Sequence, residues 1–174
     1  MKRISVTGPE SSGKSLLAEA LAEALNTAYV PEYAREYLEN LDREYTEADL
    51  VKIAMQQCQA EDVAALSKPE YLICDTDMLV MKIWSEVKYG RVHPFILDQY
   101  RRRKYDLVLL MSPDLPWIED PLREHPEKRE ELFEMYKSNL VSGNFIFEII
   151  SGPGKIRLKN ALSALRKHHL LKRD

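Results

Sequence analysis

The sequence predicts a doubly wound α/β domain in three layers, α/β/α, around a five-stranded parallel sheet. Three observations carry that prediction. Strand-like and helix-like apolar patterns alternate along the whole chain. The loop Gly8-Pro9-Glu10-Ser11-Ser12-Gly13-Lys14-Ser15 joins the first strand to the first helix. The length of 174 residues suits one domain, 1–174, that buries a core without staples.

The elements follow in order. Ile4 and Val6 anchor a strand over Lys2 to Thr7, and Leu16, Leu17, Ala20, Leu21, Ala24 and Leu25 recur at helical spacing over Lys14 to Asn26. Ala28 to Val30 reads as a short second strand, and Pro31 opens a helix to about Asn40. Thr46, with Asp49 three residues on, caps a helix over Glu47 to Leu66 that ends before Pro69. Tyr71 to Asp75 is the third strand. A helix over Met78 to Tyr89 is closed by Gly90, and Pro94 to Arg102 forms a shorter one. Asp106 to Met111 is a continuous apolar run of the kind a buried parallel strand needs. A proline-rich connector, Ser112 to Pro126, leads to a helix over Glu127 to Leu140. Asn144 to Ile150 is the fifth strand, Ser151-Gly152-Pro153-Gly154 a turn, and an amphipathic helix runs to about Leu170. Right-handed crossovers fold such a series into the three layers.

Composition narrows the function. The formal net charge is −3, which gives no general pull toward nucleic acid. The run Arg101-Arg102-Arg103-Lys104 is either a solvated helix end or a contact for an anion or substrate. Cys58 and Cys74 make no Cys-x-x-Cys pair, so metal or redox use is not expected, and Cys74 reads as core. Residues 1–7 are too short and polar for a signal peptide, and no apolar stretch approaches a membrane span. A cytoplasmic protein without a membrane or nucleic-acid partner is expected.

Gly8 to Ser15 fits G-x-x-x-x-G-K-[ST] at every fixed position, between a strand and a helix. Such a loop wraps with its backbone N–H groups aimed inward at phosphate oxygens, and the helix N-terminus adds a positive partial charge. Gly8 and Gly13 allow the close approach. Lys14 is placed for the β- and γ-phosphates and the Ser15 hydroxyl for Mg²⁺. The stretch Gly8 to Leu16 is therefore the expected nucleotide contact, with ATP and Mg²⁺ as partners.

A nucleotide-bound Mg²⁺ needs a carboxylate on a neighbouring strand, and Asp75 ends the third strand where ligands bind in such sheets. Asp77 is either a second site residue or the cap of the next helix. Glu32, at the end of strand two, is placed to accept a hydroxyl proton or hold a ribose diol, and Arg35 lies one turn away. An ordinary charged helix face is the alternative for both. Glu32 and Asp75 are both candidates for the base. The connector, about 113–130, carries Trp117, Arg123, Lys128 and Arg129 and has the place and chemistry of a lid over the phosphates. Trp117 stacks on an aromatic substrate or pins the loop, and His125, His168 and His169 read as surface residues.

Several of these segments together resemble the ribosylnicotinamide kinase domain of NAD biosynthesis, the domain fused at the C-terminus of bifunctional NAD-regulator proteins. The segments are the loop 8–15, Glu32-Tyr33-Ala34-Arg35-Glu36, Asp75-Thr76-Asp77, His93-Pro94-Phe95, Trp117-Ile118-Glu119-Asp120-Pro121-Leu122-Arg123 and Ser151-Gly152. The resemblance implies a P-loop fold with strand order 2-3-1-4-5. It implies transfer of the γ-phosphoryl of ATP to the ribose 5′-hydroxyl of nicotinamide riboside, giving nicotinamide mononucleotide. Glu32, Tyr33, Arg35, Asp75 and Asp77 would line the acceptor pocket, with Trp117 and Asp120 near its mouth. Arg123 would meet the phosphates, and Ser151, Gly152 and Arg157 would lie near adenine. Ala34 and Pro121 stand where the family commonly has glycine. No nucleotidyltransferase or DNA-binding segment precedes the loop, so those activities are expected to be absent.

Two other readings compete. One is a P-loop ATPase module that signals through a partner; the guanine-reading Asn-Lys-x-Asp motif of a GTPase is missing. The other is a kinase for a different nucleoside or a nucleoside monophosphate, for which Arg35 and the Arg101 to Lys104 run would supply the extra anion site.

Overall fold

A computed structural model of the chain describes residues 1–27 and 29–171. The sheet is five-stranded and parallel, from β1 (Lys2–Thr7), β2 (Tyr29–Val30), β3 (Tyr71–Asp75), β4 (Leu107–Met111) and β5 (Phe147–Ile150), in the order β2-β3-β1-β4-β5. The helices are α1 (Lys14–Ala24), α2 (Tyr33–Glu39), α3 (Glu47–Ala65), α4 (Met78–Tyr89), α5 (Pro94–Arg102), α6 (Arg129–Ser142) and α7 (Gly154–Lys167). The expected class and strand order are both present.

Period-two alternation divides the strand side chains between two cores. Ile4, Val6, Leu107, Leu109 and Met111 pack on α1 and α7, while Val108 and Leu110 pack on α4 and α6. A third cluster, around Leu50, Ile53, Met78, Met81 and Ile96, joins α2 to α5 beyond the sheet. Register places Val6 opposite Asp75 and Thr7 opposite Leu110, so the loop leaving β1 starts beside the carboxyl end of β3.

Element boundaries shift for local reasons. The second strand is described from Tyr29, and Ala28 lies outside the described residues. Helix α2 begins at Tyr33 rather than Pro31, because Gln57 of α3 takes the Tyr33 N–H at 2.9 Å and donates to the Pro31 carbonyl at 3.3 Å and the Asp75 carbonyl at 3.4 Å. One amide side chain thereby ties the end of β2 to the end of β3. Helix α1 stops at Ala24, and Asn26 turns the chain at φ 49°. Helix α6 begins two residues later than expected, at Arg129, and Asn144 at φ 52° delays the fifth strand to Phe147. The Thr46–Asp49 capping box and the left-handed Gly90 cap are formed as expected.

Neither reading of the basic run describes Arg103. It is buried, its guanidinium bonded to Glu61 at 3.2 Å and to Asp62 at 2.7 and 3.0 Å, and its Nε contacts Cys58 Sγ at 3.1 Å. Arg3 and Tyr105 complete the shell around Glu61. Arg102 pairs with Asp98 at 2.7 Å.

Candidate active site

The carboxyl ends of the strands open into one cavity of about 430 Å³. All nine residues from Gly8 to Leu16 line it. The loop geometry depends on its glycines. A Cβ on Gly8, at φ 139°, would lie 2.9 Å from the Met111 carbonyl oxygen, and Gly13 enters α1 in the left-handed region at φ 78°. Any side chain at 8 would force the loop away from β4. Ser12 Oγ donates to the Pro9 carbonyl at 2.7 Å, and Lys14 Nζ rests on the same oxygen at 3.0 Å.

Asp75 and Asp77 lie two residues apart and do different work. Asp77 is buried and fully employed: Ser5 and Thr7 donate to it at 2.6 and 3.0 Å, and it caps α4 through the Leu79 and Val80 N–H groups. It is the helix cap of the two expected roles; neither it nor Asp75 lines the cavity directly, and what separates them is that Asp77 is fully hydrogen-bonded. Asp75 is equally buried, at 2% exposed, yet its Oδ1 has no hydrogen-bond partner among the described residues. Burial pushes its carboxyl up to about 6; the Ser15 hydroxyl opposes this, the Glu32 charge adds to it, and the Lys14 ammonium opposes it. Between them Thr76, a β-branched residue, is held at φ 78° with its own hydroxyl buried and unpaired. The positive φ and the unmet polar groups make this strand end the candidate site.

Asp75 and Ser15 together offer hard oxygen donors, one of them an orphaned buried carboxylate oxygen. That donor set fits Mg²⁺, which takes one or two carboxylates and fills the rest of its shell with phosphate oxygens and water. Among the described residues no group of three or more His, Cys, Asp or Glu gathers as a metal site of its own.

Glu32 and Arg35 line the same cavity, as expected. Among the described residues Glu32 accepts no hydrogen bond, whereas Arg35 pairs with Asp120 of the connector at 2.8 Å and with Glu39 at 3.3 Å. Tyr33 packs instead against the α2–α5 cluster.

The connector closes one side of the cavity through polar attachments to the phosphate loop. The Ser11 hydroxyl accepts from the Ile118 N–H at 3.0 Å and from Arg123 at 3.5 Å. The Glu10 carboxylate accepts from the Glu124 and His125 N–H groups, at 3.1 and 3.0 Å. Arg129 donates to the Leu115 carbonyl at 2.8 Å and the Ser11 carbonyl at 3.4 Å. Farther along, Glu124 takes bonds from Tyr45 and Lys88. Burial disfavours its charge, but those two bonds win and hold the carboxyl below its usual range.

Other expected residues are placed differently. Trp117 lies outside the cavity wall, with Arg123 and Arg129 at 5.9 and 5.8 Å from its ring, and so pins the connector. Asp120 caps the Leu122 N–H at 2.9 Å, a bond that, with Arg35, holds its carboxyl low. Arg157 is buried and spent on protein acceptors: the Ser12 carbonyl, the Gly152 carbonyl and Asp114. Gly152 N–H also bonds Asp114, so Arg157 and the Ser151–Gly154 turn brace the phosphate loop from behind. His125 lines the cavity and His168 bonds Glu148 at 2.7 Å, so neither is a plain surface residue. Gln57 and the apolar wall from α4 and α6 were not legible as site residues, because their helical spacing reads as ordinary core.

A family model described as an AAA domain matches residues 3–157. The chain belongs to that family. Proteins named trifunctional NAD biosynthesis/regulator protein NadR, from Salmonella typhimurium and Escherichia coli, are each 32% identical over 154 residues, or 80% of this chain. The chain spans about a third of their length, 36%. A crystal structure of NadR protein in complex with NR shares the fold over 99% of this chain and 53% of its own, at 24% identity and TM-score 0.84. A second, of NadR protein with NAD and AMP-PNP, does so at 22% identity and TM-score 0.81, covering 99% and 51% of the two chains. A deoxyadenosine kinase of M. mycoides aligns at TM-score 0.62 and 18% identity over 95% of this chain and 98% of its own. The matched span includes Gly8 to Ser15, the segment with the G-x-x-x-x-G-K-[ST] pattern.

Proposed function

We propose that this chain is an ATP- and Mg²⁺-dependent kinase that phosphorylates the ribose 5′-hydroxyl of nicotinamide riboside, yielding nicotinamide mononucleotide. The observation that carries the reading is the unpaired, buried Asp75 oxygen facing the Lys14–Ser15 end of the phosphate loop, with the uncommitted Glu32 carboxylate beside it. Relatives named for NAD biosynthesis and a similar fold solved with NR support the acceptor.

The residues divide the work. Backbone N–H groups of 8–15 and the α1 N-terminus bind the phosphates, and Lys14 leaves the Pro9 carbonyl to meet the β- and γ-oxygens. Ser15 and Asp75 would hold the Mg²⁺, which when bound offsets phosphate charge. The acceptor hydroxyl passes its proton to Glu32 or Asp75 as it attacks the γ-phosphorus in line with the departing ADP oxygen. Arg123 swings its guanidinium from Ser11 to the phosphates, and the 113–130 connector acts as a lid that excludes water. The setting is cytoplasmic, and the partner is a small molecule rather than nucleic acid or membrane.

ATP consumption by purified protein, measured with nicotinamide riboside, common nucleosides, nucleoside monophosphates and water alone, tests this. Turnover confined to nicotinamide riboside supports the proposal. Preference for another acceptor ends the substrate assignment, and acceptor-independent hydrolysis ends the kinase assignment. Of the residues read for a monophosphate acceptor, Arg103 is committed to Glu61 and Asp62 and Arg102 to Asp98, none of residues 101–104 lines the cavity, and Arg35 does.

A further inference from the structure

The cavity has two unlike ends. The strand-edge end holds Lys14, Ser15, Glu32 and Arg35, whose charges suit phosphates and ribose hydroxyls. The other end is a wall from α4 and α6 made of Val80, Ile83, Trp84, Val87, Leu132 and Tyr136. Only Trp84 and Tyr136 bring polar atoms to that wall. The Trp84 Nε1 is already spent, donating to the Tyr45 hydroxyl at 2.8 Å. Tyr136 is different: its residue is 4% exposed, its ring is packed into the α4–α6 core, and its hydroxyl makes no hydrogen bond within the described residues. The hydroxyl oxygen is not one of the fully buried unpaired atoms, so it reaches the cavity rather than packed protein. Here the free hydroxyl borders the space that an acceptor would fill.

Building on the kinase reading above, we infer that Tyr136 is a positioning residue for the acceptor, its hydroxyl hydrogen-bonding the carboxamide of the nicotinamide ring. A riboside whose 5′-hydroxyl meets Asp75 and Glu32 must extend its planar base away from the phosphate loop, onto the α4–α6 wall. The ring's apolar faces suit Val80, Ile83 and Leu132, and its one polar substituent needs one polar partner. The wall supplies a single uncommitted one. A phenol both donates and accepts, so it satisfies either half of an amide. An acceptor lacking the amide leaves the hydroxyl unpaired and loses the bond.

Tyr136→Phe tests this, because it removes one oxygen and keeps the packed ring. Steady-state kinetics are compared for nicotinamide riboside and for the pyridinium riboside without the carboxamide. The expected result is a KM for nicotinamide riboside raised about 3- to 10-fold, with kcat within about twofold, the size of one neutral hydrogen bond. For the amide-free acceptor, wild type and variant should coincide. Equal KM values for nicotinamide riboside in both proteins, or an equal loss with both acceptors, overturns the role of Tyr136. Failure of the wild type to phosphorylate nicotinamide riboside at all is a separate outcome, and it ends the kinase reading on which the inference stands.

Discussion

The strand-edge half of the site and the connector half are built by opposite means. At the strand edge, parallel register, glycines at φ 139° and 78° and the Gln57 brace fix the backbone that carries the candidate groups. The connector, in contrast, crosses the site without regular structure and is attached through side chains of Glu10, Ser11, Arg35 and Arg129. The first half stores unmet polarity at Asp75 and Thr76, and the second, Trp117 Nε1 apart, meets its polarity with bonds that exchange readily for water or ligand. A kinase needs both: a preorganised charge site and a cover that opens.

The comparison breaks first if Lys14→Ala retains turnover. Loss of the loop cation should lower kcat about 10³-fold or more in the ATP-consumption assay, since it removes charge stabilisation at the transferred phosphoryl. Asp75→Asn should follow, with activity down about 10²-fold but the ligand-free protein more stable. The sign follows from the raised folded-state value of about 6 against an ordinary 3.8. The native state holds the proton more tightly, so this group's contribution to stability is full below pH 3.8 and falls as pH rises to about 6. The neutral amide should recover on the order of 2 kcal/mol at pH 8, read as a higher Tm. A variant less stable than wild type at pH 8 would show that Asp75 is structural, like Asp77.

On the connector side the effects shrink. Glu10→Ala removes the acceptor for the Glu124 and His125 N–H groups. Amide hydrogen exchange at 118–126 should accelerate about 5- to 10-fold, and the acceptor KM should rise a few-fold, with the strand-edge amides unchanged. Acceleration at 71–76 as well would mean that the halves are not independent. Smallest of all, Trp117→Phe deletes a buried N–H that has no partner. Activity should change by less than about twofold and Tm should hold or rise, because nothing is left unpaired. A tenfold rise in acceptor KM would instead place Trp117 against the substrate.

The same division governed what the sequence disclosed. Gly8 to Ser15, Asp75 and Glu32 were legible because their chemistry is tied to local conformation: a loop between a strand and a helix, or a residue ending an apolar strand. The elements were legible wherever a cap or a glycine marked their ends, as at Thr46 and Gly90. Long-range pairings left no local trace. Asp77 depends on Ser5 and Thr7 from β1, Arg103 on Glu61 and Asp62 from α3, and Arg157 on the Ser12 carbonyl, some 145 positions away. Gln57 and Tyr136 were hidden for another reason: each occupies a helical position whose spacing predicts burial, and burial alone does not say which polar atom remains free.

The lone Asp75 oxygen also has a bearing on how long a molecule lasts. A buried carboxylate with one unpaired oxygen makes the ligand-free fold less secure, and any ligand that answers it closes the gap by mass action, about 2.7 kcal/mol at a hundredfold excess over Kd. Proteases act on opened chains, so copies without nucleotide and metal are the first to be cleaved. Limited proteolysis with and without Mg²⁺ and a non-hydrolysable ATP analogue should show this as a survival difference that Asp75→Asn flattens. The amount of this protein would then follow the supply of the nucleotide it binds.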